Sequence, residues 1–338
     1  DTDPEKLIRF EKNIALALYN KAQWSEAVGY FDKVLEQLGA PVPKKGVGGF
    51  ALSFWTFMVL LKVAYLKIPG SKKTPGDQEN ETFSLYFKAI EALSYVDHTR
   101  QFLGALDLFR RTTKLDISKI SKFSFSWLGL AAILSVSGIS FRLGSRLLET
   151  AQRYVDTEDV FSRMNNLVMS TITFHCQGAW DKIQDFDEDL MNAALRIGDL
   201  FHAANYLVFY GLVKGEQGEF GHLQKTIERT NAIGETYAYN LAMLETLELK
   251  SELFLKVGSV HKALVEAEKG VLLSRKHRSE LHELIFLGYK AEAQQSLGDA
   301  KGARATIAQA LQFHEKQSVM VLTIFMAPFL AARFFVDI

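Results

Sequence analysis

The chain has 338 residues, 48% of them hydrophobic, which is enough to bury a sizeable core. Its 39 Lys and Arg residues balance 39 Asp and Glu residues, so net charge cannot drive binding to nucleic acid or to an anionic membrane. The single cysteine, Cys176, excludes an internal disulfide and a zinc site built from thiolates. We therefore expect no nucleic-acid partner and no membrane partner.

The first predicted element is a helix hairpin over residues 1–38. Small and apolar residues recur there at helical spacing: Ala15, Trp24, Ala27, Phe31, Val34 and Leu35. Ala22 lies where the chain must turn between the two helices. No basic segment followed by an apolar one opens the sequence, so we expect no secretory signal and a cytoplasmic location.

Residues 39–80 interrupt the hairpin pattern. A stretch rich in Gly and Pro is followed by an apolar run over 50–66, which predicts a helix, and then by a polar loop over 68–80. We expect that loop to be exposed and flexible. Residues 81–120 predict a degenerate repeat, in which Glu91 takes the place of an expected small residue.

A period of 40 residues governs the segment 121–338. Five glycines recur in phase: Gly138, Gly178, Gly218, Gly258 and Gly298. Eleven residues before each stands a large apolar residue: Trp127, Leu167, Leu207, Leu247 and Leu287. Seven residues before each stands a small one: Ala131, Thr171, Gly211, Ser251 and Ala291. Five residues after each comes an apolar one: Leu143, Ile183, Leu223, Ala263 and Ala303. The pattern predicts helix hairpins whose first helix ends at the glycine.

The offsets resemble the tetratricopeptide repeat (TPR) motif, which is built of such hairpins. Its basic period is about 34 residues, so each helix here should be longer by roughly a turn. The prediction is an all-α fold, a right-handed α-α superhelix of about seven to eight TPR-like hairpins, forming one solenoid over residues 1–338.

A longer resemblance covers nearly the whole chain. Its specific element is the sequence Leu-Gly-Ala-Pro-Val-Pro at 38–43, after the first hairpin and before the apolar helix. In these features the chain resembles the helical-repeat region of large bacterial signal-transduction ATPases. Those proteins combine an AAA-like ATPase module with cyclase, kinase or LuxR-type output domains. The resemblance implies a regulatory or sensor segment without chemistry of its own.

The sequence has no clear motif for catalysis, phosphate binding or metal binding. The glycine-rich stretches lack the Gly-x-x-x-x-Gly-Lys-Ser/Thr order that binds phosphate. His277 and His282 are five residues apart, which is poor spacing for zinc ligands. His175 and Cys176 are adjacent and diverge by ~100° around a helix, so we expect no thiol nucleophile. An acidic run over 185–189 favours a solvated helix start over a cation site. We expect no enzyme, no metal and no cofactor.

The first helix of each TPR hairpin lines the groove of the array, and the resemblance places ligand-facing residues there. They are Asn165, His175, Asn205, Glu245, Glu248, Glu252 and Glu292. Asn165 and Asn205 repeat in phase and could clamp an extended backbone. The three glutamates at 245–252 form one stripe that would suit a basic peptide. The alternative is a solvated helix face.

Three uncharged runs, 46–61, 123–141 and 318–332, are candidates for membrane spans. The middle run contains five serines and has no cluster of Lys and Arg on one side only, which favours a buried helix. The last run has almost no polar face. It predicts a helix that packs against a following repeat or against a second copy of the chain.

Three functions remain open at this point. The first is the regulatory segment of a multidomain signalling ATPase, which acts through protein or intramolecular contacts. The second is a stand-alone receptor for peptides. The third is a helical enzyme or cofactor binder, which would need buried titratable groups around one deep pocket.

Overall fold

The structure is a computed structural model that describes residues 4–66, 73–116 and 123–316. Within these ranges the chain forms fifteen α-helices and no β-strand, so the all-α prediction is confirmed. The helices are α1 (Pro4–Asn20), α2 (Trp24–Gln37), α3 (Val47–Leu66), α4 (Asp77–Leu93), α5 (His98–Thr112), α6 (Phe123–Val136), α7 (Phe141–Gln152), α8 (Val160–Cys176), α9 (Glu188–Arg196), α10 (Leu200–Glu216), α11 (Phe220–Tyr237), α12 (Asn240–Lys256), α13 (Val260–Lys276), α14 (Glu280–Ser296) and α15 (Ala300–Lys316).

The chain divides into two compact units. Unit 1 comprises Asp1–Thr173 and Asp187–Ala193, and unit 2 comprises Phe174–Phe186 and Ala194–Ile338. In unit 1 the helix pairs α1–α2, α4–α5 and α6–α7 pack together, and α3 packs on α5. In unit 2 the hairpins are α10–α11, α12–α13 and α14–α15, and each packs against the next. TPR-like hairpins are thus the building blocks, while one solenoid over 1–338 stays a prediction.

The five in-phase glycines all lie where the sequence predicts them, just after a helix end. Their φ angles run from 67° to 82°, the left-handed region that a Cβ disfavours. After Gly218 the backbone N–H of Glu219 donates to the carbonyl of Lys214 at 2.8 Å, and Ser259 donates to Phe254 in the same way. This bond is the mark of a Schellman C-cap, which satisfies carbonyls at the helix end.

A second series of left-handed turns lies midway between the glycines. Its members are Gly198, Ala238 and Arg278, with φ of 77°, 48° and 53°, and each joins one hairpin to the next. The pattern of glycines does not reveal this series, because two of the three residues carry a side chain. Ala22 turns the first hairpin with φ 55°, as predicted.

The small residues at the hairpin crossings are buried. Gly211 shows why: a Cβ there would meet Leu249 of α12 at 2.8 Å and Thr226 of α11 at 3.2 Å. Both neighbouring helices therefore approach α10 more closely than an alanine would allow.

The Gly178 repeat departs from the prediction. A short 3₁₀ helix, Trp180–Lys182, follows the glycine, and Ile183 lies in extended backbone rather than one turn into a helix. The second helix, α9, begins only at Glu188, where the Asp187 carboxylate accepts from the Leu190 N–H at 2.9 Å. The acidic run is thus a helix start, as predicted, and its capping residue sets the delayed boundary.

The predicted loop over 68–80 is too long at its end. Helix α4 begins at Asp77, because the Gly76 N–H donates to the Glu79 carboxylate at 3.0 Å and so completes a capping interaction. Residues 67–72 lie outside the described ranges, so the expected flexibility stays untested.

In the degenerate repeat over 81–120, Glu91 takes the position of the small residue. Glu91 is buried there and accepts a hydrogen bond from the Tyr19 hydroxyl at 2.7 Å.

The uncharged run over 123–141 does not form one continuous helix. Helix α6 begins at Phe123 and ends at Val136, before Gly138. Among the helices of the described ranges, none combines the length and hydropathy that crossing a bilayer requires. The apolar run over 318–332 lies outside those ranges.

Candidate functional site

The first helices of the unit 2 hairpins are α10, α12 and α14, and α12 packs against both of the others. We call these three helices the first-helix layer. Five of its glutamates interact with one another or share partners, and we call them the carboxylate face: Glu216, Glu245, Glu248, Glu252 and Glu292. The spacing of three and four residues puts the three α12 members on one side of that helix, as predicted.

Two of these carboxyls are buried. Glu245 is 2% exposed and Glu248 is 6% exposed, so neither belongs to a solvated helix face. Burial raises the pKa of Glu245 well above its usual value, and the charge of Glu248 adds to the effect. Burial and the charge of Glu252 raise the pKa of Glu248 to about 8. Within the described part of the chain, Oε2 of Glu245 has no hydrogen-bond partner.

Lys256 supplies the positive charge at this face. Its Nζ lies 3.2 Å from Oε2 of Glu216 and 3.2 Å from Oε1 of Glu252. Burial lowers the pKa of Lys256, but the two carboxylates outweigh it, so its pKa is raised. Burial and the charge of Glu252 raise the pKa of Glu292, against the effect of Lys256. Among the described residues no further ion pair reaches the carboxylate face.

The hydroxyl of Tyr289 on α14 borders the same face. Burial, the charges of Glu252 and Glu248, and a hydrogen bond to Glu252 together raise its pKa well above the usual value. The face therefore combines side chains of three helices, α10, α12 and α14.

His175 lies near the α10 end of this surface. Its ring stands edge-on to Phe209, with the centroids 5.9 Å apart. Burial lowers the pKa of His175 to about 4, although the charge of Glu216 opposes the shift. Burial raises the pKa of the Cys176 thiol to about 12. Both side chains are therefore neutral near pH 7, and the thiol is a poor nucleophile.

The two predicted asparagines differ in their surroundings. Asn165 is fully buried in α8, and neither atom of its amide group has a partner among the described residues. The amide of Asn205 instead donates to the Phe201 carbonyl of its own helix at 3.0 Å. Asn165 belongs to unit 1 and Asn205 to unit 2, so a joint clamp stays a prediction.

The buried histidines serve helix starts. His202 Nδ1 lies 2.8 Å from the Asp199 carboxylate before α10, and His282 Nδ1 lies 2.7 Å from the Ser279 hydroxyl before α14. Burial lowers the pKa of His282 to about 4. In the described ranges, no group of three His, Cys, Asp or Glu side chains is arranged to hold a metal ion.

Sequence reasoning did not include Lys256, Glu216 and Tyr289 in the site. Lys256 stands four residues after Glu252, and the rule for helical ion pairs would have found it. Glu216 and Tyr289 lie on neighbouring helices, so only the packing of α10 and α14 on α12 brings them in.

Comparisons with known proteins identify no family. No protein-family model matches the sequence, and no curated protein matches it. One solved structure, a Rap protein complexed with competence and sporulation factor, covers 99% of this chain and 99% of its own, with 11% identity and a TM-score of 0.46. A likeness at this level carries no argument about function.

Proposed function

We propose that this chain is a non-catalytic scaffold that binds a segment of another protein, or of the same polypeptide, along its first-helix layer. The bound segment is extended and basic. The carboxylate face recognises its positive charges, and Asn205 and His175 contact its backbone and neutral side chains.

One observation carries the proposal. Glu245 and Glu248 are buried on α12 without an ion pair from the described residues, and Lys256, which supplies the positive charge of this face, is shared by Glu216 and Glu252. Buried acidic groups are normally paired, and without a partner they shift towards the neutral form, as the raised pKa values of both glutamates indicate. A cation that enters the face can take the place of those protons. A surface that holds more carboxyls than cations is complementary to a basic partner.

We further propose a larger protein in which this scaffold acts. The segment at 38–43 and the degenerate repeats support a regulatory segment of a multidomain signalling ATPase. In that setting a bound segment would bias small rotations between hairpins and so alter neighbouring domains. The alternative is a stand-alone peptide receptor. Reading the complete gene tests this choice, because an ATPase module in the same reading frame supports the first and a start codon directly before Asp1 supports the second.

Binding itself is tested with an array of short peptides of mixed composition, probed with the purified chain. We expect the bound peptides to be enriched in Lys and Arg. Hydrogen exchange with a bound peptide should slow in α10, α12 and α14 and stay unchanged in α11 and α13. No enrichment, or protection confined to the second helices of the hairpins, would overturn the proposal.

A matched pair of variants links binding to the site. Glu292→Gln removes a half-buried carboxyl from the face, and Glu228→Gln removes an exposed one from α11. Glu292→Gln should lower the affinity for a basic array peptide by about threefold to tenfold, as expected for the loss of one charge contact. Glu228→Gln should leave that affinity unchanged.

A further inference from the structure

We infer that Glu245 and Glu248 form a subsite that takes one cationic side chain, lysine or arginine, from the segment bound along the first-helix layer. This inference rests on the proposed function and adds to it a specific position. The two carboxyls stand three residues apart on α12 and therefore point to the same side of the helix.

Outside the carboxylate face, each buried carboxylate of the described residues has at least one partner from the chain itself. Asp107 accepts from Arg110 at 3.1 Å, from Arg111 at 2.6 Å and from the Tyr86 hydroxyl at 3.0 Å. The Asp199 carboxylate lies against His202. Oδ2 of Asp199, like Oε2 of Glu245, is buried without a donor from the described residues, but Asp199 keeps His202 on its other oxygen. Glu245 differs because none of the described residues forms a hydrogen bond or ion pair with it. A buried oxygen without a donor is destabilising, so a site of this kind calls for a donor from outside.

The surroundings favour a cation over a neutral donor. Glu248 lies close enough to Glu245 for its charge to act on it, and Glu252 acts in the same way on Glu248. These effects favour the protonated, neutral form of both carboxyls in the free chain. A cation that enters lowers their pKa and takes the place of the protons, which a neutral donor does not do. An ammonium or guanidinium group supplies three or five N–H donors together with the opposite charge.

A long side chain also fits the graded exposure of the face. Glu245 and Glu248 are buried, the side chain of Glu252 is 14% exposed, and Glu292 is half-buried. A bound segment therefore meets the layer on the side of Glu252 and Glu292. Lysine and arginine place a charged head at the end of an apolar stem, which suits a buried carboxyl pair behind a more open rim.

The test uses a basic peptide from the array and a set of copies of it. In each copy one cationic residue is replaced by a neutral one, an Arg by citrulline or a Lys by norleucine. One replacement should weaken binding to the wild-type chain by about tenfold or more, while the others have smaller effects. The double variant Glu245→Gln plus Glu248→Gln should bind the charged peptide with that same reduced affinity. It should no longer distinguish the charged peptide from its neutral copy. Glu228→Gln should behave as wild type.

The outcomes separate this inference from the proposed function. If the peptides protect the first-helix layer but no single replacement matters, or if the double variant still discriminates, the subsite is wrong and the scaffold proposal stands. If no peptide binds the layer, both are wrong. Should the double variant fail to fold, Glu245→Gln alone decides: unchanged discrimination by that variant overturns the subsite.

Discussion

Phe286 of α14 lies so close over Gly270 of α13 that a Cβ on residue 270 would overlap the aromatic ring. The ring is fully buried, and the two helices belong to successive hairpins. The contact therefore joins one repeat to the next, and the absence of a side chain at residue 270 permits it.

Gly270→Ala should destabilise unit 2. Overpacking costs about 1–3 kcal/mol, and the better helix propensity of alanine returns at most about 1 kcal/mol. We expect a net loss of about 1–2 kcal/mol in the free energy of unfolding, measured by urea denaturation. Gly29→Ala in α2 is the matched control, because nothing lies within 4 Å of a Cβ there. It should gain about 0.5–1 kcal/mol. Equal effects of the two substitutions would contradict the contact.

Ala238→Gly should stabilise the chain. Ala238 is exposed and holds φ 48° between α11 and α12, a conformation that costs an L-residue about 1–2 kcal/mol. Glycine relieves this strain but is more flexible in the unfolded chain, so we expect a gain of about 0.5–1 kcal/mol. The reverse substitution, Gly258→Ala at φ 74°, should lose a similar amount. A destabilised Ala238→Gly variant in urea melts would show that the turn carries no strain.

The hairpins can be predicted from the sequence, but some of the turns between them cannot. The period of 40 and the glycines suffice to predict the hairpins, because a left-handed turn after a helix leaves a visible glycine. Ala238 and Arg278 make the same turn without glycine, so no residue type reveals it. The acidic stripe on α12 is also readable from spacing. The burial of Glu245 is not, because it depends on how α10 and α14 pack on α12.

The stability of the chain should depend on Glu248 between about pH 4 and pH 8. The pKa of Glu248 is about 8 in the folded chain, against about 4.3 when unfolded. The folded state therefore binds a proton that the unfolded state releases, and the stability present below about pH 4 is lost as the pH rises towards 8. Glu248→Gln should lose less stability than wild type between about pH 5 and pH 8. Glu228→Gln, on the exposed side of α11, should follow wild type. Identical pH profiles for Glu248→Gln and wild type would refute the burial of an ionisable Glu248.

Lys256→Met should destabilise the chain at neutral pH. It removes both ion pairs of the carboxylate face, and because Lys256 is 27% exposed we expect a loss of only about 0.5–1 kcal/mol. The loss should shrink in concentrated salt, which screens the two ion pairs. Lys225→Met, an exposed lysine of α11, serves as the control in thermal melts and should change little. If the loss for Lys256→Met were the same at low and high salt, the apolar stem of Lys256 and not its charge would be what matters.

The most direct test of the scaffold proposal is a crystal structure of the chain with its tightest-binding array peptide. The account predicts that the peptide lies along α10, α12 and α14, with a lysine or arginine head within hydrogen-bond distance of Glu245 and Glu248. A peptide on α11, α13 or α15, or one bound without a cationic group at α12, would contradict it.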